Sequence, residues 1–377
     1  MRASALAGLG CLLLVLVAGA APACTSFVMD SPDGPIYGTN CDLFIPGDGL
    51  VLVNPRGLAK TGFMEGTTGS VLEWVSEYGS VTFSLAGREF AWGGMNEAGV
   101  VISTMQLASG EYPPPDERPP LSDGGVVQYI LDTCGTVEEV TRLDEITRVY
   151  DPDSPASHYL FADAGGDAGV IEYRDGEFFL YRGETMPVKA MANMPYERSA
   201  YAFEHGGTRW WWSNPGRSAE RTATAEMRSR EFDAAVDTSA VNYAFGTLVH
   251  YVAAPHTRWN IVFDVDDGEL WYRTDQSPTY KHIALDWFDF ACDAPLRMLD
   301  VNATFEGDAL EHFVPYDRST NLDVFRTFCG RWGIDVSAEG SAALIEHFDG
   351  FQCAESESDL TARRFRSSSG CEKARVE

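Results

Sequence analysis

The sequence predicts an α+β layered domain, and three observations carry that expectation. Segments alternating apolar and polar residues arrive in two batches, each batch is followed by segments of helical spacing, and neither an internal repeat nor a mid-chain linker divides them. The chain has 377 residues, 45% of them hydrophobic and 12% aromatic, enough to enclose a sizeable core.

The first batch opens at residue 24. TSFVMD, the turn Ser31-Pro32-Asp33-Gly34 and PIYGTNCDLF read as a hairpin, and GLVLV follows after Pro46-Gly47-Asp48. Further strands are expected over 80–85 and 99–107, the second after the turn-like Gly93-Gly94-Met95-Asn96-Glu97-Ala98-Gly99. ASGEYPPPDERPPLSDGG holds too much proline for either element and reads as a long surface loop. Helices are expected over 125–133 and 136–143, the latter capped by Thr136 with Glu138 and Glu139 in its first turn. The second batch is a meander over 159–164, 169–174 and 178–182, a helix over 219–236, and a hairpin of 259–265 with 270–274 around Asp266-Asp267-Gly268. From 301 the character changes to a small helical extension reaching 354, and the tail 355–377 has the composition of a disordered segment.

Charge narrows the function classes. Twenty-eight basic residues face 56 acidic ones, a net charge of −28, whereas nucleic acid or an anionic membrane selects the opposite sign. Neither is expected as a partner.

Residues 1–23 read as a secretory signal peptide: Arg2, an apolar run around Leu12 to Val17, then Ala21-Pro22-Ala23 as an A-x-A cleavage site. Cleavage there makes Cys24 the first residue of a secreted or periplasmic protein. A lipid-attachment cysteine is the rival reading, but Ala21-Pro22-Ala23 fits the lipoprotein signal poorly. No second run approaches the roughly 18 to 20 apolar residues needed to span a bilayer. Of eight cysteines, Cys11 leaves with the signal peptide, so seven remain: a free Cys24 and six for up to three disulfides. Cys329 with Cys353 is the pair expected, because both flank a short helical segment; Cys41, Cys134 and Cys292 read equally well as buried thiols.

Most catalytic signatures are absent: there is no HExxH, paired CxxC, GxSxG, GxxxxGK[ST] or GxGxxG, and no cofactor or metal is expected. None of the seven histidines neighbours a cysteine, and His250 and His256 read as structural. An amino-terminal cysteine, however, combines nucleophile and base in one residue. An α-amine titrates at roughly 7.7 to 8.0, so about a tenth or more is neutral at pH 7 and able to take the thiol proton. Its ammonium form favours the thiolate.

Several segments, in order, resemble the linear amide C–N hydrolases of the choloylglycine hydrolase and penicillin V acylase family, a branch of the N-terminal nucleophile hydrolases. They are Cys24-Thr25-Ser26-Phe27-Val28, Gly38-Thr39-Asn40-Cys41-Asp42, Gly93-Gly94-Met95-Asn96-Glu97-Ala98-Gly99, Ala192-Asn193-Met194-Pro195-Tyr196, Ser218-Ala219-Glu220-Arg221 and Thr257-Arg258-Trp259-Asn260-Ile261-Val262-Phe263-Asp264. The resemblance covers 24–300 and implies a four-layer αββα fold. It implies Cys24 as nucleophile with its α-amine as base, Asp42 holding that amine, Asn96 and Asn193 as amide donors to the oxyanion, and Arg221 as a nearby positive charge. Assembly into homo-oligomers is implied by analogy only.

One position departs from the family pattern. Where an arginine is usual, this chain has Thr39, so Arg221, or else Arg56 or Lys60, must supply the charge, or the pH optimum rises. The change argues against bile-salt specificity. Trp92, Tyr112 and Trp210-Trp211-Trp212 are candidates for an apolar acyl pocket, and the negative charge favours neutral acyl amides, acyl-homoserine lactones or peptide-like amides. The expected activity is hydrolysis of a linear, non-peptide amide through an acyl-thioester. An acyltransferase passing the acyl group to an amine, and an inactive exported binding protein or lipoprotein that keeps the fold, are the alternatives.

Overall fold

The computed structural model describes residues 24–63, 71–151, 155–205, 218–237 and 239–354. Two large sheets lie face to face in it. The seven-stranded sheet runs, edge to edge, Ala190–Ala192, Thr25–Ser31, Gly34–Asp42, Thr257–Asp264, Glu269–Thr274, Lys281–Ala284 and Gly307–Asp308. The nine-stranded sheet runs Glu177–Arg182, Ala168–Arg174, Ser157–Ala162, Val101–Gln106, Ala91–Asn96, Ser80–Ser84, Leu50–Asn54, Arg297–Asp300 and Val314–Pro315. Pairing is antiparallel throughout both, save the contact of Lys281–Ala284 with Gly307–Asp308.

Eight α-helices lie among the described residues: α1 (Val126–Thr133), α2 (Val137–Val140), α3 (Leu143–Ile146), α4 (Tyr196–Glu204), α5 (Ser218–Glu231), α6 (Ala240–Gly246), α7 (Arg318–Trp332) and α8 (Ala338–Asp349). Helix α1 covers the outer face of the nine-stranded sheet, where Val127, Ile130 and Leu131 meet Ile102, Phe161 and Ile171. Helices α5 and α6 cover the outer face of the seven-stranded sheet. The four layers are thus helix, sheet, sheet, helix, as the family resemblance implies.

The inner faces are joined by aromatic packing and by hydroxyl bonds. Phe83 meets Phe263 and Tyr272 with ring centroids 6.3 and 5.1 Å apart, in the edge-on arrangement aromatic pairs favour. The Tyr37 hydroxyl donates to the Leu160 carbonyl at 2.9 Å and shares a bond with Ser103 at 2.6 Å. Thr39 belongs to this cluster, its hydroxyl 2.6 Å from that of Ser26. It therefore sits between the sheets as an uncharged partner.

The hairpin expected at residue 24 is present, with Thr25 opposite Asn40 and Ser31 opposite Gly34. Gly34 turns it with φ of +121°, and a Cβ there would lie 2.6 Å from Asp266 Cβ, so the close approach of the two hairpins requires glycine. Helix α1 spans nearly the expected residues. The expected 136–143 helix is instead two one-turn helices, although Thr136 does accept the Glu139 N–H as their cap. Helix α5 ends at Glu231, five residues early, as Asp233 turns its side chain to the Ala235 N–H.

The disulfide differs from the expected pairing. Cys353 bonds Cys292, with Cα atoms 5.7 Å apart, and Cys329 is free. Cys329 lies on the buried side of α7 among Phe325, Ile334 and Leu344, where burial pushes its thiol up to about 11. Cys353 instead sits on a short strand paired with Leu58–Thr61, next to Gly57, whose Cα faces the Cys292 side chain. Strand pairing rather than proximity along the chain selects the partner. Cys24, Cys41 and Cys134 are buried free thiols. Among the described residues no helix is long and apolar enough to cross a membrane. The expected signal peptide and tail, and Trp210-Trp211-Trp212, lie outside the described residues.

Candidate active site

Cys24 immediately precedes the first strand and is only 3% exposed. Because Thr25 pairs with Asn40, Cys24 faces Cys41 and Asp42 on the neighbouring strand. Its sulfur accepts the Asp42 N–H at 3.4 Å. The Cys41 thiol is pushed well up by burial and by its contact with Cys24, so it stays protonated beside the nucleophile candidate.

On the other edge Thr25 pairs with Ala192, which brings Asn193 alongside. The Asn193 amide donates to the Gln106 carbonyl at 2.8 Å, a bond between the two sheets. Arg221 comes from the first turn of α5 and is 2% exposed. Its Nε donates to the Thr25 hydroxyl at 2.8 Å, and its Nη2 reaches the Cys24 carbonyl and Asn193 Oδ1, both at 3.3 Å. Burial pulls its pKa down and the nearby Asp42 and Cys24 push it back. Arg56 is instead committed to Glu97, and Lys60 to Glu89 and Asp132. Of the three cations weighed as replacements for the arginine absent at Thr39, Arg221 is the one that touches Cys24.

Asp42 is fully buried, and no hydrogen bond of ordinary geometry reaches either carboxylate oxygen. Burial raises its pKa to about 7, against the easing effect of the adjacent Thr257 hydroxyl, Arg221 and Arg258. A carboxyl so placed is costly when charged unless a donor or cation comes within reach.

Asn96 is not brought to this group. Its Nδ2 donates to the Leu131 and Cys134 carbonyls at 2.9 and 2.8 Å, and its Oδ1 accepts from Ala98 and Val100. It ties the end of α1 to the turn after its strand, about 13 Å along that strand from Trp92 at roughly 3.3 Å per residue. The expected oxyanion role has no support in this position.

A residue that sequence reasoning missed takes the vacant corner. Gln106, at the end of Val101–Gln106, is 8% exposed, and neither polar atom of its side chain has a hydrogen-bond partner. It lines an apolar cavity with Cys24, Leu43, Trp92 and Met105. Little in the sequence signals it: Thr104 and Gln106 share one face of a strand that also carries Ser103 on the other. Trp92 also lines this cavity, whereas Tyr112 packs on Tyr173 in the core beneath α1. Among the described residues no three His, Cys, Asp or Glu side chains cluster as a metal site requires.

Residues 24–202 match the model of the linear amide C-N hydrolases, choloylglycine hydrolase family. A penicillin V acylase of Pectobacterium atrosepticum is 30% identical over 210 residues, 51% of this chain and 54% of that protein, so the match spans about half the length of the relative. The structure of penicillin V acylase from Agrobacterium tumefaciens superposes with a TM-score of 0.63 at 24% identity, covering 78% of this chain and 98% of that one. A mutant of the conjugated bile acid hydrolase from Clostridium perfringens superposes with a TM-score of 0.59 at 12% identity, covering 78% and 96%. At such identities the superpositions speak for the fold alone. The segment that starts at Cys24 and runs to residue 202, just under half of the chain, thus matches the linear amide C-N hydrolases of the choloylglycine hydrolase family, and the fold is the one shared by these solved structures.

Proposed function

We propose that this protein is an exported amidohydrolase that cleaves a linear, non-peptide C–N amide through an acyl-thioester on Cys24, once removal of residues 1–23 frees its α-amine. The observation that carries the reading is the pairing of a buried cysteine with the unsatisfied carboxylate of Asp42 beside it. An ammonium on Cys24 supplies the cation that a buried carboxylate needs, and Asp42 in return orients the amine.

In this reading the neutral α-amine takes the Cys24 thiol proton, and the sulfur attacks the amide carbonyl. The oxyanion is met by the Asn193 amide and by the unpaired amide of Gln106. The C–N bond breaks as the ammonium returns its proton to the leaving amine. Water, deprotonated by the α-amine, then attacks the thioester and releases the acid and the thiol. Arg221 holds the Cys24 carbonyl and Asn193 in place and contributes the positive charge that Thr39 does not. The apolar cavity takes the acyl group, so the substrate is an N-acyl amide of small-molecule size.

Mass analysis of the secreted chain before and after exposure to a mechanism-based thiol acylator is the direct test. We expect an N-terminus at Cys24 that gains one acyl group, and Cys24→Ala that hydrolyses no chromogenic acyl amide. A blocked or lipidated Cys24, or unchanged turnover in that variant, overturns the proposal.

A further inference from the structure

We infer that the C-terminal extension supplies one wall of the acyl cavity, with Phe328 and Trp332 of α7 limiting the length of the apolar acyl group that reaches Cys24. The inference rests on the amidohydrolase reading and adds the substrate class: short apolar acyl chains.

The wall is made by chain that the family match, ending at residue 202, does not include. The cavity is lined by Cys24, Leu43 and Trp92 together with Phe328 and Trp332, four residues apart on one face of α7 with ring centroids 6.1 Å apart. Trp332 packs against both the main core and the separate cluster under α7 and α8. Its indole N–H is buried without a hydrogen-bond partner.

The helix is held over the site at both ends. At its C-terminal end Arg331 pairs with Asp48 and donates to the Pro46 carbonyl at 3.3 Å, gripping the loop that leaves Asp42 and Leu43. Near its start Asn321 Oδ1 accepts the Arg88 N–H at 2.8 Å, and Phe325 stacks on Phe90, itself a lining residue, at 5.6 Å. Behind it, Arg88 donates to the Phe348 carbonyl at 2.8 Å, and the Cys292–Cys353 bond ties down the segment that follows α8. A wall fixed at both ends and from behind is a rigid stop.

The cavity volume is about 90 Å³. Pockets for drug-sized ligands run to roughly 300–1,000 Å³. A fused-ring acyl group does not fit beneath α7 as it stands, whereas a short alkyl chain does. Discrimination between chain lengths in such a pocket is on the order of tenfold or more per methylene.

The test uses the full mature chain and the p-nitroanilides of butyric, hexanoic, octanoic and decanoic acids. We expect the wild-type kcat/KM to be greatest at the short end. Trp332→Ala and Phe328→Ala should each raise the decanoyl-to-butyryl ratio of kcat/KM at least tenfold. Should either alanine variant fail to fold, Trp332→Leu and Phe328→Leu should move the ratio in the same direction. Leu344→Ala, in the extension's own core and away from the cavity, should lower thermal stability and leave the ratio unchanged. Wild-type turnover with a ratio unmoved in every Phe328 and Trp332 variant overturns this inference alone. Absence of turnover of the whole series by the wild-type chain overturns the amidohydrolase reading and this inference with it.

Discussion

In the proposed function, Asp42 would tie stability to processing. Its pKa in the fold is about 7, against an ordinary carboxylate value of 3.8, with burial the main cause. Between those two pH values the folded chain keeps a proton that the unfolded chain has lost, so stability falls as pH rises through the window and the full penalty applies above it. In a chain whose Cys24 is still joined to residue 23, Asp42→Asn is therefore expected to raise the melting temperature at pH 8 and to leave it unchanged near pH 3.5. The gain corresponds to a few kcal/mol, about 1.4 for every tenfold difference in proton affinity between the folded and unfolded chain. In the mature chain the ammonium offsets the charge, the gain shrinks, and activity is lost instead. Melting curves of both forms at both pH values measure this, and a gain independent of pH contradicts the assignment. Gln106 carries the second residue-scale prediction. Gln106→Leu should lower kcat about a hundredfold, the usual effect of losing one oxyanion donor, with the fold intact. A kcat within twofold of wild type leaves that role to Asn193.

At the scale of elements, strand register does most to build the site. Thr25 has Asn40 on one side and Ala192 on the other, so a two-residue shift at either edge would remove Asp42 or Asn193 from Cys24. Helix α5 adds Arg221 from above the same strand, which gives the helix a second task besides covering the sheet. The extension is an element pair of its own. Asp317 and Ser337 cap α7 and α8, Gly333 ends α7 in the left-handed conformation at φ of +69°, and the pair shares a small core. Its covalent tether spans 61 residues. Loop-closure entropy for that span is worth about 4 kcal/mol. Cys353→Ser should accordingly lower the melting temperature and speed amide exchange in 318–349 more than in α1. Uniform acceleration across both segments would show that the extension unfolds with the whole domain rather than by itself.

The whole molecule carries a net charge of −28, and its field reaches substrates before any contact does. An anionic acyl amide should show kcat/KM rising severalfold as ionic strength increases from about 10 to 300 mM, because salt shortens the repulsion below roughly a Debye length of 10 Å. A neutral amide of the same acyl chain should be unaffected. Parallel steady-state measurements on the two substrates decide it, and an equal response of both would locate the charge far from the path to Cys24. The layered architecture also explains why the substitution at Thr39 is tolerated by the fold. Between the sheets a hydroxyl bonded to Ser26 is easily satisfied, whereas a guanidinium placed there needs partners of its own.

The sequence by itself determined the first hairpin, helix α1, the caps at Thr136 and the layered α+β class, because alternation, helical spacing and capping report on neighbours a few residues away. It also singled out Cys24, Asp42, Asn193 and Arg221 through short segments in family order, and the structure places these four together. Only the tertiary structure decided that Asn96 is spent on backbone carbonyls, that Gln106 lines the cavity, that Cys353 joins Cys292, and that α7 lines the same cavity. Each of those depends on which strands pair and which faces pack. Such partners are tens to hundreds of residues apart, where local preference has nothing to say and burial, register and shape choose between otherwise equal candidates.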